Sequence, residues 1–331
     1  MIFPWQTSLW QTLSQAKQAN RLAHAFLFSG AVGVGKLTFA EHFLQALLCQ
    51  QLNRVGEACQ TCHACRLISN NTHPNVLRVH PEKAGQAIKV DQVRAITDFV
   101  QHSSLQGEYR SVLIHPAHKM NAQAANALLK TIEEPPLGAM FILISEQPSL
   151  LPATIRSRCQ HLHFPKPKPA QALSWLQAQE NNFSAETARL LLKLAQGAPL
   201  TALQLAQEES QSDRQTCLQA LCSLGKRQSD PLTVAADLQE KEALPLIDFI
   251  LSWMMDLLRL QLKGRPEDIT NEDYLASLTE CTQHTELSKN VAFLTYLQQI
   301  RGHLLTGINL NKLLLMESLF IRWRECYCRV G

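Results

Sequence analysis

The sequence predicts an α/β domain, a parallel five-stranded sheet with helices on both faces, followed by two all-α units. Three observations predict it. Short apolar, β-rich runs alternate with helical stretches through the first half of the chain, as strands joined by crossover helices do. The run Pro165-Lys166-Pro167-Lys168-Pro169 then forbids a helix and favours an extended connector. Everything after it reads helical. The expected organisation is residues 1–165 as the α/β domain, 166–207 as a small helical unit and 208–331 as a larger one.

The elements follow in order. Strands are expected at 25–29, 76–79, 112–114 and 140–144, with a fifth at 162–164. Helices are expected at 37–48, 90–102 and 122–134, the last stopped by Pro135-Pro136. Gly197-Ala198-Pro199 breaks the small helical unit. Val291, Leu294, Leu297, Ile300 and Leu304 fall at helical spacing. Gly307-Ile308-Asn309 separates the last two helices, with Asn309 as the expected N-cap.

The totals bound the class. A chain of 331 residues with 46% apolar and 18% charged residues suits a soluble globular protein of two or three domains. Its net charge of +3 is too mild to argue nucleic-acid binding by itself. No apolar run reaches the roughly 18 residues that span a bilayer. The opening MIFPWQTSLWQ has neither a basic region nor a long apolar core, so no signal peptide is expected. A cytosolic location follows, where thiols stay reduced. The ten cysteines therefore need an account other than disulfides.

The stretch Gly30-Ala31-Val32-Gly33-Val34-Gly35-Lys36-Leu37-Thr38 nearly matches a phosphate loop, G-x-x-x-x-G-K-[ST]. An apolar run leads in and a helical pattern leads out. Backbone N–H groups and the helix dipole of such a turn favour an anion, and Lys36 would reach the outer phosphates. The hydroxyl that holds Mg²⁺ is replaced by Leu37. Thr38 points about 100° around the helix from that place. An ATPase also needs an apolar strand ending in acids. Here Val112-Leu113-Ile114 ends in His115 and Pro116, which stand where Asp and Glu would hold the metal and orient water. Two metal-handling losses predict negligible hydrolysis in this chain's own pocket. They leave nucleotide binding without turnover open. His115 and His118 read as hydrogen-bonded histidines rather than metal ligands.

Cys49, Cys59, Cys62 and Cys65 are spaced C-x9-C-x2-C-x2-C. Two-residue gaps let a turn wrap successive sulfurs around one ion, and a fourth thiolate closes a tetrahedron. Four thiolates leave no open position, so the expected ion is a structural zinc. An iron–sulfur run would need a further cysteine followed by proline, where Arg66-Leu67-Ile68-Ser69 stands. His63 is a substitute ligand that four cysteines make unnecessary. Cys217, Cys222, Cys281, Cys326 and Cys328 show no such spacing and read as ordinary thiols.

"NALLKTIEEPP" at 126–136 and "IRSRC" at 155–159, taken with the degenerate "GAVGVGK" and the four-cysteine insert, carry a resemblance. The chain resembles the AAA+ clamp-loader subunits of bacterial DNA polymerase III over essentially its whole length. "RLAHAFLFSG", "THPNV" and "GINLNKLLLMESLFIRW" extend the match. The resemblance implies a RecA-like AAA+ domain, a helical lid and a helical collar that joins a pentameric ring. The implied neighbours are tau or gamma ATPases and the delta subunit, acting on a sliding clamp and primer–template DNA. It implies that Arg158, positioned by Ser157 and Cys159, is an arginine finger completing the adjacent subunit's ATP site. Active members carry a lid arginine on their own nucleotide, and the matching position here is Leu200. Ser145 stands at the usual polar sensor.

Two competing readings remain. An autonomous AAA+ ATPase conflicts with Leu37, His115 and Pro116, and a steady-state assay on the isolated chain separates it. A zinc-ribbon nucleic-acid binder would carry a basic cluster, yet 49–65 holds Arg54 and Glu57 and no lysine. Steep salt dependence of DNA binding by the lone chain would be its signature.

Overall fold

Alternation along three central strands builds the first half of the molecule. In the computed structural model, β1 (Ala25–Gly30), β2 (Val76–Val79), β3 (Arg110–Ile114), β4 (Ala139–Ser145) and β5 (Gln160–Phe164) form one sheet in the order β2-β3-β4-β1-β5. Every pairing is parallel. Successive side chains point to opposite faces. Phe26, Phe28, Leu113, Met140, Ile142 and Ile144 therefore face one layer, formed by α1 (Thr7–Gln18), α2 (Lys36–Leu48) and α3 (His63–Ser69). Leu27, Val112, Ile114, Phe141 and Leu143 face the other, formed by α4 (Val90–Gln101), α5 (Ala122–Glu133) and α6 (Ala153–Arg158). A sheet covered on both faces favours near-continuous apolar runs, and β3 and β4 are buried throughout, with Arg110, Ser111 and Ser145 their polar members.

The described residues are 2–53, 55–83, 86–101, 109–179, 183–265, 268–305 and 310–327. Asn309, the expected cap, lies outside them. The cap of the last helix, α15 (Lys312–Cys326), is Asn311, whose side chain accepts from Leu314 N at 3.1 Å. The helix α1 has no counterpart among the expected elements. Its sequence TSLWQTLSQAKQ is mostly polar, and only Trp10 and Leu13 are buried.

The chain divides into two compact units, Met1–Ala172 and Leu173–Gly331. The boundary falls within α7 (Pro169–Gln177), just after the proline run. In the second unit Gly197, at φ +81°, turns the chain from α8 (Ala185–Leu194) into α9 (Pro199–Leu205). The remaining helices are α10 (Glu208–Gly225), α11 (Pro231–Leu238), α12 (Ala243–Gln261), α13 (Leu275–His284), α14 (Leu287–Leu305) and α15. They enclose a core centred on Trp253, Trp323, Phe320 and Met316. Of the apolar stripe on α14, Leu297 and Ile300 are buried and Leu294 and Leu304 pack against the core, while Val291 faces solvent. No helix among the described residues is long and apolar enough to cross a membrane.

Candidate functional site

The glycine loop leaves the C-terminal edge of the sheet at the end of β1. Gly30, Gly33 and Gly35 all have positive φ, at 147°, 74° and 86°. A Cβ on Gly30 would lie 2.4 Å from Phe164 O, and one on Gly35 would lie 2.5 Å from the Phe3 ring. Close approach as well as backbone conformation therefore demands glycine at both places. The N-terminal segment packs against the loop. Trp5 Nε1 and Gln6 Nε2 each donate to Val34 O at 3.0 Å, and Gln6 Nε2 also reaches Gly35 O at 3.0 Å.

Lys36 opens α2 and is buried. Its ammonium donates to Gly30 O at 2.9 Å and Ala31 O at 2.6 Å, and pairs with Glu146 Oε1 at 3.0 Å. Strand register explains the third contact. Ser29 lies opposite Ser145, so the residue after β4 arrives beside the residue that begins the loop. The next strand, β3, brings His115 to the same edge, since Ile114 pairs with Leu143. His115 Nε2 lies 3.5 Å from Glu146 Oε1, and His118 Nδ1 lies 3.6 Å from Oε2. Ser145 Oγ accepts from Gln147 N at 3.2 Å and lies 3.2 Å from His118 Nδ1. Burial alone would push the Glu146 carboxyl up, but the contact with His115 and the charge of Lys36 outweigh it and hold it down at about 2. Burial lowers His118 below the usual histidine value, against the pull of Glu146.

The degenerate positions supply no metal-binding oxygen. Leu37 is 41% exposed, and Thr38 faces solvent beside it. His115 and Pro116 bring no carboxylate. Leu200 lies half-buried on α9 in the second unit and brings no charge. Glu146, unnoticed from sequence, is the carboxylate of this cluster. Its one sequence signal is an acid directly after the polar residue that ends β4.

Arg158 ends α6 at the other edge of the sheet. Gln160 pairs with Phe26 near the start of β1, whereas Phe164 pairs with Gly30 at its end. Those four residue steps separate the two edges by about 13 Å, and Arg158 lies two residues further back. Its guanidinium donates to Thr154 O at 2.9 Å and pairs with Glu133 Oε1 at 2.6 Å. Glu133 ends α5, which has run back to this edge: Ile132 O lies 3.0 Å from the ring of His24, just before β1. Ser157 Oγ donates to Thr154 O at 3.1 Å. Cys159 is buried, which pushes its thiol up to about 12 and makes it an inert packing residue. Glu133, the carboxylate that holds Arg158, was not evident from spacing.

The four cysteines converge as expected. The sulfurs of Cys49, Cys59, Cys62 and Cys65 all lie within 4.8 Å of one another. Cys49 and Cys62 are 3.9 Å apart, close to the roughly 3.8 Å edge of a tetrahedron with Zn–S bonds of about 2.3 Å. Backbone amides support the sulfurs: Gln51 N and Cys59 N donate to Cys49, and Cys62 N donates to Cys59, each at 3.3 Å. Contacts from Thr61 hold the Cys59 thiol down at about 6, while burial pushes Cys49 and Cys65 up. The donor set fits a zinc ion held by four thiolates, whose chemistry is structural.

The model of the DNA polymerase III delta subunit family matches residues 5–168, and the model of its C-terminal part matches residues 208–325. The chain is 38% identical over 325 residues to the DNA polymerase III subunit delta' of Pseudomonas aeruginosa, covering 97% of each chain. It is 32% identical over 321 residues to the DNA polymerase III subunit delta' of Escherichia coli K12, covering 97% of this chain and 94% of that one. It is also 37% identical over 159 residues to the DNA polymerase III subunit tau of Bacillus subtilis, covering 48% of this chain and 28% of that one.

Proposed function

The chain belongs to the delta' subunits of DNA polymerase III, and on that premise we propose that it is a non-hydrolysing ring subunit of the clamp loader that lends Arg158 to a neighbour. The RecA-like domain, helical lid and helical collar form one position of a pentameric ring in the bacterial cytoplasm, at the replisome. Its neighbours are the tau or gamma ATPases and the delta subunit, and the ring as a whole acts on the sliding clamp and primed DNA. Polymerase activity belongs to the assembly. One structural zinc, held by Cys49, Cys59, Cys62 and Cys65, folds the insert.

The observation that supports this most is strand register. It puts Arg158 beyond the edge of the sheet opposite the chain's own glycine loop. A guanidinium there serves a nucleotide bound to another subunit more readily than one on Lys36. Transition-state charge on a transferred phosphoryl group needs such a donor, and a finger is worth about 10³ to 10⁵ in rate. The test is reconstitution with the tau or gamma and delta subunits, comparing wild type with Arg158→Ala. The variant should assemble, lose clamp loading onto primed DNA and lower ATP turnover. Unchanged loading and turnover would remove the role in trans.

A further inference from the structure

We propose that Glu146 determines what the glycine loop binds: its carboxylate is a resident anion that occupies Lys36, so the loop takes no inorganic or nucleoside polyphosphate while that charge is present. The missing metal ligands bear on the proposed absence of turnover. They do not explain an absence of binding, because backbone amides and a lysine can hold phosphate without Mg²⁺. Glu146 acts on binding itself.

The donor inventory is the first support. A lysine ammonium has three hydrogens and no more. Here they meet three acceptors, Gly30 O, Ala31 O and Glu146 Oε1, at 2.9, 2.6 and 3.0 Å. No donor remains for a phosphate oxygen. The second support is charge. The pair is shielded from water, with side-chain exposures of 4% and 17%. An arriving phosphate must either displace a tethered carboxylate or lie beside it, and like charges in a desolvated site repel strongly. The third is the surrounding cluster. His115 Nε2 and His118 Nδ1 also face the Glu146 oxygens, at 3.5 and 3.6 Å. The carboxyl stays ionised at ordinary pH, so the mask is permanent. It operates in the lone chain and is independent of what Arg158 does for a neighbour.

The experiment titrates inorganic pyrophosphate and ADP, without Mg²⁺, into the isolated full chain by calorimetry. Wild type should show no binding up to about 1 mM. Glu146→Gln keeps the shape and removes the charge. It should bind pyrophosphate at least about tenfold more tightly than wild type, and Lys36→Ala added to it should abolish that gain. Saturable binding by wild type below about 1 mM overturns the proposal, as does a folded Glu146→Gln chain that binds no better. Should Glu146→Gln fail to fold, the Lys36 ammonium resonance of wild type decides. It should be unmoved by millimolar pyrophosphate, and a saturable shift overturns the proposal.

Discussion

Lys36 and Glu146 form a buried ion pair, so removing either partner leaves the other charged in a site from which water is excluded. Lys36→Met should cost about 3 kcal/mol of stability. Glu133→Gln removes the partner of Arg158 from an exposed pair, with side-chain exposures of 37% and 43%, and should cost less than about 1 kcal/mol. Urea denaturation of the two variants measures the difference, and equal small losses would contradict the account. The pH dependence carries a sign. Glu146 is held at about 2, below the ordinary value of 4.5. Its stabilising charge is fully present above the ordinary value and is lost as pH falls through the lower one. Stability of wild type should therefore fall between about pH 4.5 and 2 more steeply than that of Glu146→Gln. Lys36, Leu37, His115 and Pro116 were legible because a motif fixes their spacing. Glu146 was not, because its role comes from the register of β4 on β1, which no local pattern encodes.

Whole elements were more legible than their contacts. The C-x9-C-x2-C-x2-C spacing sufficed for the four-cysteine cluster, since short gaps leave few other ways to place the sulfurs. The turn before it was not read: Asn53 Oδ1 accepts from Val55 N at 3.1 Å and Glu57 N at 2.8 Å and closes the loop that leads to Cys59. Purified chain should contain one zinc, and Cys62→Ser should lose most of it, as elemental analysis would show. Undiminished zinc in that variant would exclude Cys62 as a ligand. The sheet was legible as five strands because alternation of strand and helix dictates parallel pairing. The helix α1 was not, because two buried residues in twelve make no stripe. In the second unit a buried carboxylate ties a loop to a helix. Asp256 on α12 accepts from Arg259 Nη1, Thr270 N, Asn271 N and Asn271 Nδ2 at 2.7 to 2.9 Å. Asp256→Ala strands those donors and should destabilise the second unit by about 3 kcal/mol in thermal or urea unfolding. A loss below about 1 kcal/mol would show that water replaces the carboxylate at no cost.

At the scale of the molecule, the first unit keeps its glycine loop and Arg158 on opposite edges of one sheet. The glycine loop, His115 and Glu146 lie at the C-terminal edge, and Arg158 and Glu133 at the N-terminal edge. Parallel strands impose this separation, because every strand enters at one edge and leaves at the other. A chain built so cannot complete its own site by a single repair. Leu37→Thr would return the hydroxyl that holds Mg²⁺. It would return neither the acids replaced by His115 and Pro116 nor a finger at the same edge, and Glu146 would still engage Lys36. Metal help and a finger are each worth orders of magnitude in phosphoryl transfer, so the remaining losses dominate. The isolated Leu37→Thr chain, alone or combined with Glu146→Gln, should therefore release no phosphate from Mg-ATP above the protein-free blank. Turnover near the ordinary enzyme rate of about 10 s⁻¹ in either variant would mean that the acids and the finger of another subunit were dispensable to the pocket, and in Leu37→Thr alone that the missing hydroxyl by itself accounts for its silence.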